Sequence, residues 1–161
     1  MPRATARNTT SSNAVTAVEE VDTSFLETLL GYNARRAALA VIARFLEGMA
    51  PYQLKPVDFS VLSLVAHNPG ITSRQLCATL GILPPNLVGM VNLLEKRELV
   101  ARKPHPTDGR AMGLHLTPGG QKLVREAEKT AASIEADVAA RLSAAEQRML
   151  IALLKKVYKS E

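Results

Sequence analysis

The stretch ITSRQLCATLGILPPNLVGMVNLLEKRELV, residues 71–100, decides how this chain folds. Thr72 and Gln75 stand three residues apart, the spacing at which two side chains reciprocally cap a helix start. Leu76 and Leu80 then fall on one inward face, and Gly81 stops the helix. After a short turn, Leu87, Val91 and Leu94 recur at helical spacing with Met90 beside them, which predicts a second helix with one buried face. Two short helices joined by a tight glycine turn form a helix-turn-helix. Packing occupies one face of the second helix and leaves Pro85, Asn86, Val88, Gly89 and Asn92 on the other.

Working outward toward the C-terminus, the pattern changes period. LVARKP (99–104) reads as a short strand, HPTDGR (105–110) as a turn, and AMGLHLT (111–117) as a returning strand. In the latter, Met112, Leu114 and Leu116 alternate with Gly113, His115 and Thr117, so the hairpin is expected to bury its Met112, Leu114 and Leu116 face. Thr117 and Pro118 then restart helix as cap and first position, and Leu123, Ala127, Ala131, Ile134, Val138 and Leu142 extend it for about six turns. Ser143 and Glu146 form a second capping box, which launches a last helix through Met149, Leu150, Leu153, Leu154 and Val157.

Toward the N-terminus, Pro56 suits a first helical turn, Val57, Val61, Leu62 and Val65 supply a buried stripe, and Asn68, Pro69 and Gly70 end the helix. Before that, a first helix is expected from Asp22 or Thr23, as cap, to Glu47, with Gly48, Ala50 and Pro51 breaking it. Residues 1–21 are rich in Thr, Ser, Ala and Asn, lack the apolar core of a signal peptide, and read as a disordered arm. The expected fold is therefore mainly α with a minor α+β part: a winged helix-turn-helix with a two-stranded β wing, flanked by N- and C-terminal helices. Residues 22–161 form a single domain, with a winged-helix lobe at 55–117 and helices at 22–50 and 118–161. These flanking helices carry more apolar stripe than one small head can cover, and a second copy would cover it.

Charge and chemistry narrow the function. The chain has 161 residues, 47% of them hydrophobic, with 20 Lys and Arg against 15 Asp and Glu, a formal charge of +5. That balance favours an anionic partner such as nucleic acid. Between residues 96 and 110 the cations Lys96, Arg97, Arg102, Lys103 and Arg110 are opposed only by Glu98 and Asp108, and this run coincides with the wing. Phosphates reward such cations by counterion release. Asn86 and Asn92 suit adenine edges and Val88 a thymine methyl. Leu83 stands at the cap position of the second helix and cannot cap it.

No enzyme signature is present: His67, His105 and His115 lack HExxH spacing, and there is no CxxC, no Walker loop and no calcium loop. No metal or cofactor is expected. The single cysteine, Cys77, makes no internal disulfide and fits a small apolar position between helices. No apolar run reaches the ~18 residues of a membrane span, so a cytoplasmic setting without membrane contact is expected.

The chain resembles the multiple antibiotic resistance regulator (MarR) family of bacterial winged-helix regulators. The resemblance rests on LTPGGQKL (116–123), DGR (108–110), LVGMVNLLEKRELV (87–100) and ITSRQLCATLGI (71–82), and spans about residues 25 to 158. It implies a homodimer with interlocked terminal helices, a palindromic double-stranded DNA operator, and most often repression. It further implies that Arg110 enters the minor groove while Asp108 orients it. Gly109 stands where many relatives carry a second basic residue, which loosens the tip. Arg74, on the first helix of the motif, matches a phosphate contact. The resemblance also implies an effector, here a small aromatic carboxylate, a phenolic compound or a coenzyme A thioester. Tyr32 and Arg36, on one helical stripe with Phe25 and Leu29, and His67, at the end of the second helix, are the candidate effector residues. The alternative is a winged-helix protein-interaction or architectural module with no effector, because the fold alone does not fix function.

Overall fold

The computed structural model describes residues 21–104 and 111–159, which fall into two compact units, one ending at Arg35 and the other beginning at Arg36. Its elements in order are α1 (Ser24–Glu27), α2 (Leu30–Met49), a 3-10 turn (Ala50–Tyr52), α3 (Pro56–His67), β1 (Ile71–Thr72), α4 (Ser73–Leu80), α5 (Pro84–Lys96), β2 (Val100–Pro104), β3 (Met112–Leu116), α6 (Pro118–Val138) and α7 (Ala144–Tyr158). The sequence-based expectation of a mainly helical winged helix-turn-helix holds. The expected N-terminal arm lies outside the described residues, apart from Val21.

The expected first helix differs in its outline. It is broken at Thr28 and Leu29, where the Thr28 hydroxyl donates to the Phe25 carbonyl at 2.7 Å. The Asn33 amide donates to the Glu27 and Leu29 carbonyls at 2.7 and 2.9 Å, so side chains replace the helical ladder there. Asp22 accepts from the Ser24 amide at 2.9 Å, while Thr23 makes no side-chain cap bond to the backbone. At the other end Gly48 does not break α2. It lies inside the helix against α6, and a Cβ there would stand 2.5 Å from Ile134 Cδ1, so the absence of a side chain permits the close crossing.

The core of the second unit is drawn from every layer of the lobe: Met49, Val61, Leu62, Leu76 and Leu87 are fully buried, and Val65, Val91, Leu94 and Leu114 nearly so. Val57, expected in the α3 stripe, is instead 41% exposed, because it sits at the first turn, before the helix is covered. Phe45 meets Phe59 edge to face with ring centroids 5.4 Å apart, and Tyr52 Oη bonds Thr130 Oγ1 at 2.9 Å, joining α2 and α3 to each other and the 3-10 turn to α6. No helix among the described residues is by itself long and apolar enough to cross a membrane.

The hairpin is the expected wing stem, with Arg102 opposite Leu114 and Val100 opposite Leu116 in an antiparallel ladder. It also gains a third strand, since β1 pairs with β3 to give the order β1-β3-β2. Two residues of strand leave too short a pattern to read in the sequence. The pairing explains Gly113: a Cβ there would stand 2.7 Å from the Gly70 carbonyl oxygen, and only hydrogen fits. Met112, expected to anchor the stem, is 46% exposed, because the covered part of β3 begins one residue later.

Candidate nucleic-acid interface

The helix-turn-helix is built by local chemistry at each boundary. Thr72 Oγ1 accepts from the Gln75 amide while Gln75 Oε1 accepts from the Thr72 amide, so both halves of the predicted capping box are made. Gly81 ends α4 in the left-handed region at φ 64°, and its amide donates to the Cys77 carbonyl. Leu83 then caps α5 in extended backbone with no side-chain bond, as its aliphatic side chain requires, and Pro84 takes the first position. The two helices meet at a bend of 116°, within the range of helix-turn-helix units.

This geometry leaves one whole face of α5 open. Leu87, Val91 and Leu94 are buried, while Pro85, Asn86, Val88, Gly89 and Asn92 are exposed. The bend and the buried triad together fix which face points outward. A helix presented on its own fits the major groove of B-DNA. Arg74 is exposed on α4, Arg102 and Lys103 stand on β2 beside α5, and Asp108, Gly109 and Arg110 lie outside the described residues.

The basic run is less uniform than its sequence suggests. Arg97 donates to the Tyr52 carbonyl at 2.8 Å and to the Gln53 carbonyl at 3.0 Å, so it fastens α5 to the turn before α3. Arg102 pairs with Glu95 at 2.5 Å and donates to Asn92 Oδ1 at 2.9 Å. Asn92 therefore has its amide oxygen engaged, and a bidentate approach to adenine would have to break that bond. Lys96 and Lys103 are exposed. Sequence reasoning missed both internal roles, although one signal was present. Glu95 lies in the last turn of a helix, where the helix dipole disfavours a carboxylate, so a partner was to be expected.

The candidate effector residues lie on α2 and α3. Tyr32 is half-buried and Arg36 exposed, each on α2. His67 Nε2 lies 3.0 Å from Glu128 Oε1, which also accepts from Ser63 Oγ at 2.8 Å. His67 and Glu128 line an open groove between α3, the sheet and α6, together with Lys103, His115 and Arg125. Cys77 is half-buried against the core. Among the described residues no group of three or more His, Cys, Asp or Glu side chains is placed to hold a metal ion.

Comparison with known proteins agrees with this geometry. The model of the MarR family matches residues 52–111, the span from the end of the 3-10 turn to the wing. A transcriptional regulatory protein for the hcr operon of Thauera aromatica is 32% identical over 133 residues, covering 82% of this chain and 80% of the relative. Among solved structures, the transcriptional repressor CouR bound to a 23-mer DNA duplex superposes with a TM-score of 0.82 at 38% identity, covering 87% of this chain and 99% of that one. CouR bound to p-coumaroyl-CoA superposes with a TM-score of 0.80 at 36% identity, covering 88% and 100%. With its open α5, its stapled wing stem and these relatives over most of its length, the chain belongs to the MarR family of non-enzymatic, DNA-binding transcriptional regulators.

Proposed function

We propose that this regulator is a cytoplasmic repressor that binds a pseudo-palindromic operator as a homodimer and is released by a small aromatic acid or acyl-CoA-type effector. The observation that carries the DNA part is the outward face of α5. Leu87, Val91 and Leu94 hold the helix by its inner side, and Pro85, Asn86 and Val88 remain for base edges, whereas Asn92 reaches a base only by giving up its bond to Arg102. Arg74 and Lys103 supply phosphate contacts, and Arg110, oriented by Asp108, enters the minor groove, where a guanidinium suits a narrow A·T-rich stretch. Residues 55–117 form the DNA-binding lobe, and the helices within 22–50 and 118–161 form the dimer. Dimerisation spaces two copies of α5 about one helical turn of DNA apart, which requires a two-fold operator.

The effector reading draws support from CouR, which was solved both with DNA and with p-coumaroyl-CoA. An acyl thioester of coenzyme A or a related aromatic or phenolic acid is the class proposed for this chain, with Tyr32, Arg36 and His67 as candidate contacts. Release follows if the effector favours a lobe spacing that no longer matches the half-sites.

The test compares binding to the DNA upstream of the chain's own coding sequence with binding to a random duplex, over a range of salt. Preference for the upstream duplex, abolished by p-coumaroyl-CoA and not by coenzyme A alone, supports the whole reading. Equal affinity for both duplexes removes the operator and leaves an architectural or interaction module. Arg110→Ala is expected to weaken binding to the upstream duplex at least roughly tenfold while the dimer stays intact, and unchanged affinity would remove the minor-groove role.

A further inference from the structure

Arg102 is the cation that charge alone would assign to a phosphate, yet its surroundings assign it elsewhere. Its side chain and that of Glu95 are about one-third exposed, and the two meet at 2.5 Å. A second guanidinium nitrogen reaches Asn92 Oδ1 at 2.9 Å. Asn92 and Glu95 are three residues apart and so adjoin on one side of α5. The planar fork of an arginine can hold two such acceptors at once, which a lysine cannot. Arg102 leaves β2 on the side of Val100, which is buried, whereas Lys103 leaves on the opposite side. The pairing therefore ties the wing stem to the C-terminal half of α5.

We infer that Arg102 is a positioning residue: through Glu95 and Asn92 it sets the angle between the wing and α5, and so governs DNA binding without touching DNA. This rests on the DNA-binding reading above. Two surfaces that engage neighbouring grooves of one duplex must keep a fixed relation, because a misplaced wing cannot meet the backbone while α5 sits in its groove. Glu95 sharpens the inference. Simple electrostatics predicts that removing a carboxylate beside a DNA-binding helix strengthens binding to a polyanion. A clamp predicts that removing it weakens binding.

The experiment uses the full chain and, as probe, the tightest fluorescent duplex that it enriches from a random-sequence pool. Arg102→Gln and Glu95→Ala are each expected to weaken binding roughly tenfold, and the double variant no further than either single one. Neither changes the dependence of log affinity on log salt, whereas Lys103→Gln lowers that slope by about 1. Arg102→Lys, which keeps the charge and loses the fork, behaves like Arg102→Gln and covers the case in which the latter folds poorly. Tighter binding by Glu95→Ala, or a slope lowered by about 1 in Arg102→Gln, would overturn the inference and make Arg102 a phosphate contact. Amide exchange in the free protein gives an independent reading: Arg102→Gln and Glu95→Ala both accelerate exchange in the stem at residues 101–103 and 113–115, and Lys103→Gln does not. Unchanged stem exchange in the first two refutes the clamp, even if no duplex is enriched and the operator reading itself fails.

Discussion

The guanidinium of Arg97 holds the backbone of Tyr52, with Nη2 donating to the Tyr52 carbonyl oxygen at 2.8 Å and Nη1 to the next carbonyl, that of Gln53, at 3.0 Å. Gln53 is in the left-handed region at φ 52°, so this turn is costly to form and turns its carbonyls away from a regular helix. Arg97 gives those carbonyls a charged partner. Because Arg97 is the C-cap of α5, the same contact fastens the end of α5 to the turn before α3.

Arg97→Ala is expected to destabilise the fold by about 1–3 kcal/mol, the range for charge-assisted bonds to backbone oxygens. The loss should be read by urea denaturation with an unchanged m-value. Arg97→Lys recovers only part of it, since one ammonium does not reproduce a fork. A variant as stable as the wild type would show that the two carbonyls are equally well served by water.

Glu98, the next residue, gives a prediction of opposite sign. It joins α5 to β2 at φ 56°, where a residue with a Cβ is strained and glycine is not. Its carbonyl accepts from the Thr117 hydroxyl at 2.5 Å, a bond that depends on the backbone alone. Glu98→Gly is therefore expected to raise stability by up to about 1 kcal/mol, the relief of strain exceeding the extra entropy of the unfolded chain. The midpoint of thermal unfolding would rise by a few degrees, roughly 2–4 °C for a chain of this size. A lowered midpoint would mean that the Glu98 side chain makes a contact worth more than the strain.

Much of the fold was legible because its boundaries are written in short-range chemistry. Thr72 with Gln75, Thr117 with Pro118 and Ser143 with Glu146 mark helix starts where the structure has them. The buried triad Leu87, Val91 and Leu94 follows from period alone. What escaped depends on contacts remote in sequence. Gly48 looks like a breaker until Ile134 is seen to need its missing side chain, and Ile71 and Thr72 become a strand only because β3 lies beside them. The site was legible as a set of positions and less so as a set of roles. Counting cations between Lys96 and Arg110 treats Arg97 and Arg102 as free charges, whereas their partners at Tyr52, Gln53, Asn92 and Glu95 show two of them employed inside the lobe.

The last helix carries the prediction about assembly. Leu150, Leu153, Leu154 and Val157 recur at helical spacing on α7, and all four are exposed, by 46, 50, 40 and 65%. Met149 and Tyr158 are exposed as well. A run of large apolar side chains on one face of a capped, 15-residue helix is not an ordinary solvated surface, which scatters such residues singly. A second copy is the simplest cover, because a two-fold interface needs only one self-complementary patch. Leu153→Asp, at the middle of the stripe, places a carboxylate where an interface would have to desolvate it. Under the proposed pairing of two copies, it is expected to weaken self-association roughly 30-fold or more, the effect of losing a central interface residue. Sedimentation velocity over a concentration series would show this as a shift from dimer to monomer. Helical content should persist, since the substitution touches no buried core position. Binding to a two-half-site duplex should fall with the dimer, and binding to a single half-site should not. A variant that stays dimeric at low concentration would place the interface on another surface and leave the α7 stripe to a different partner.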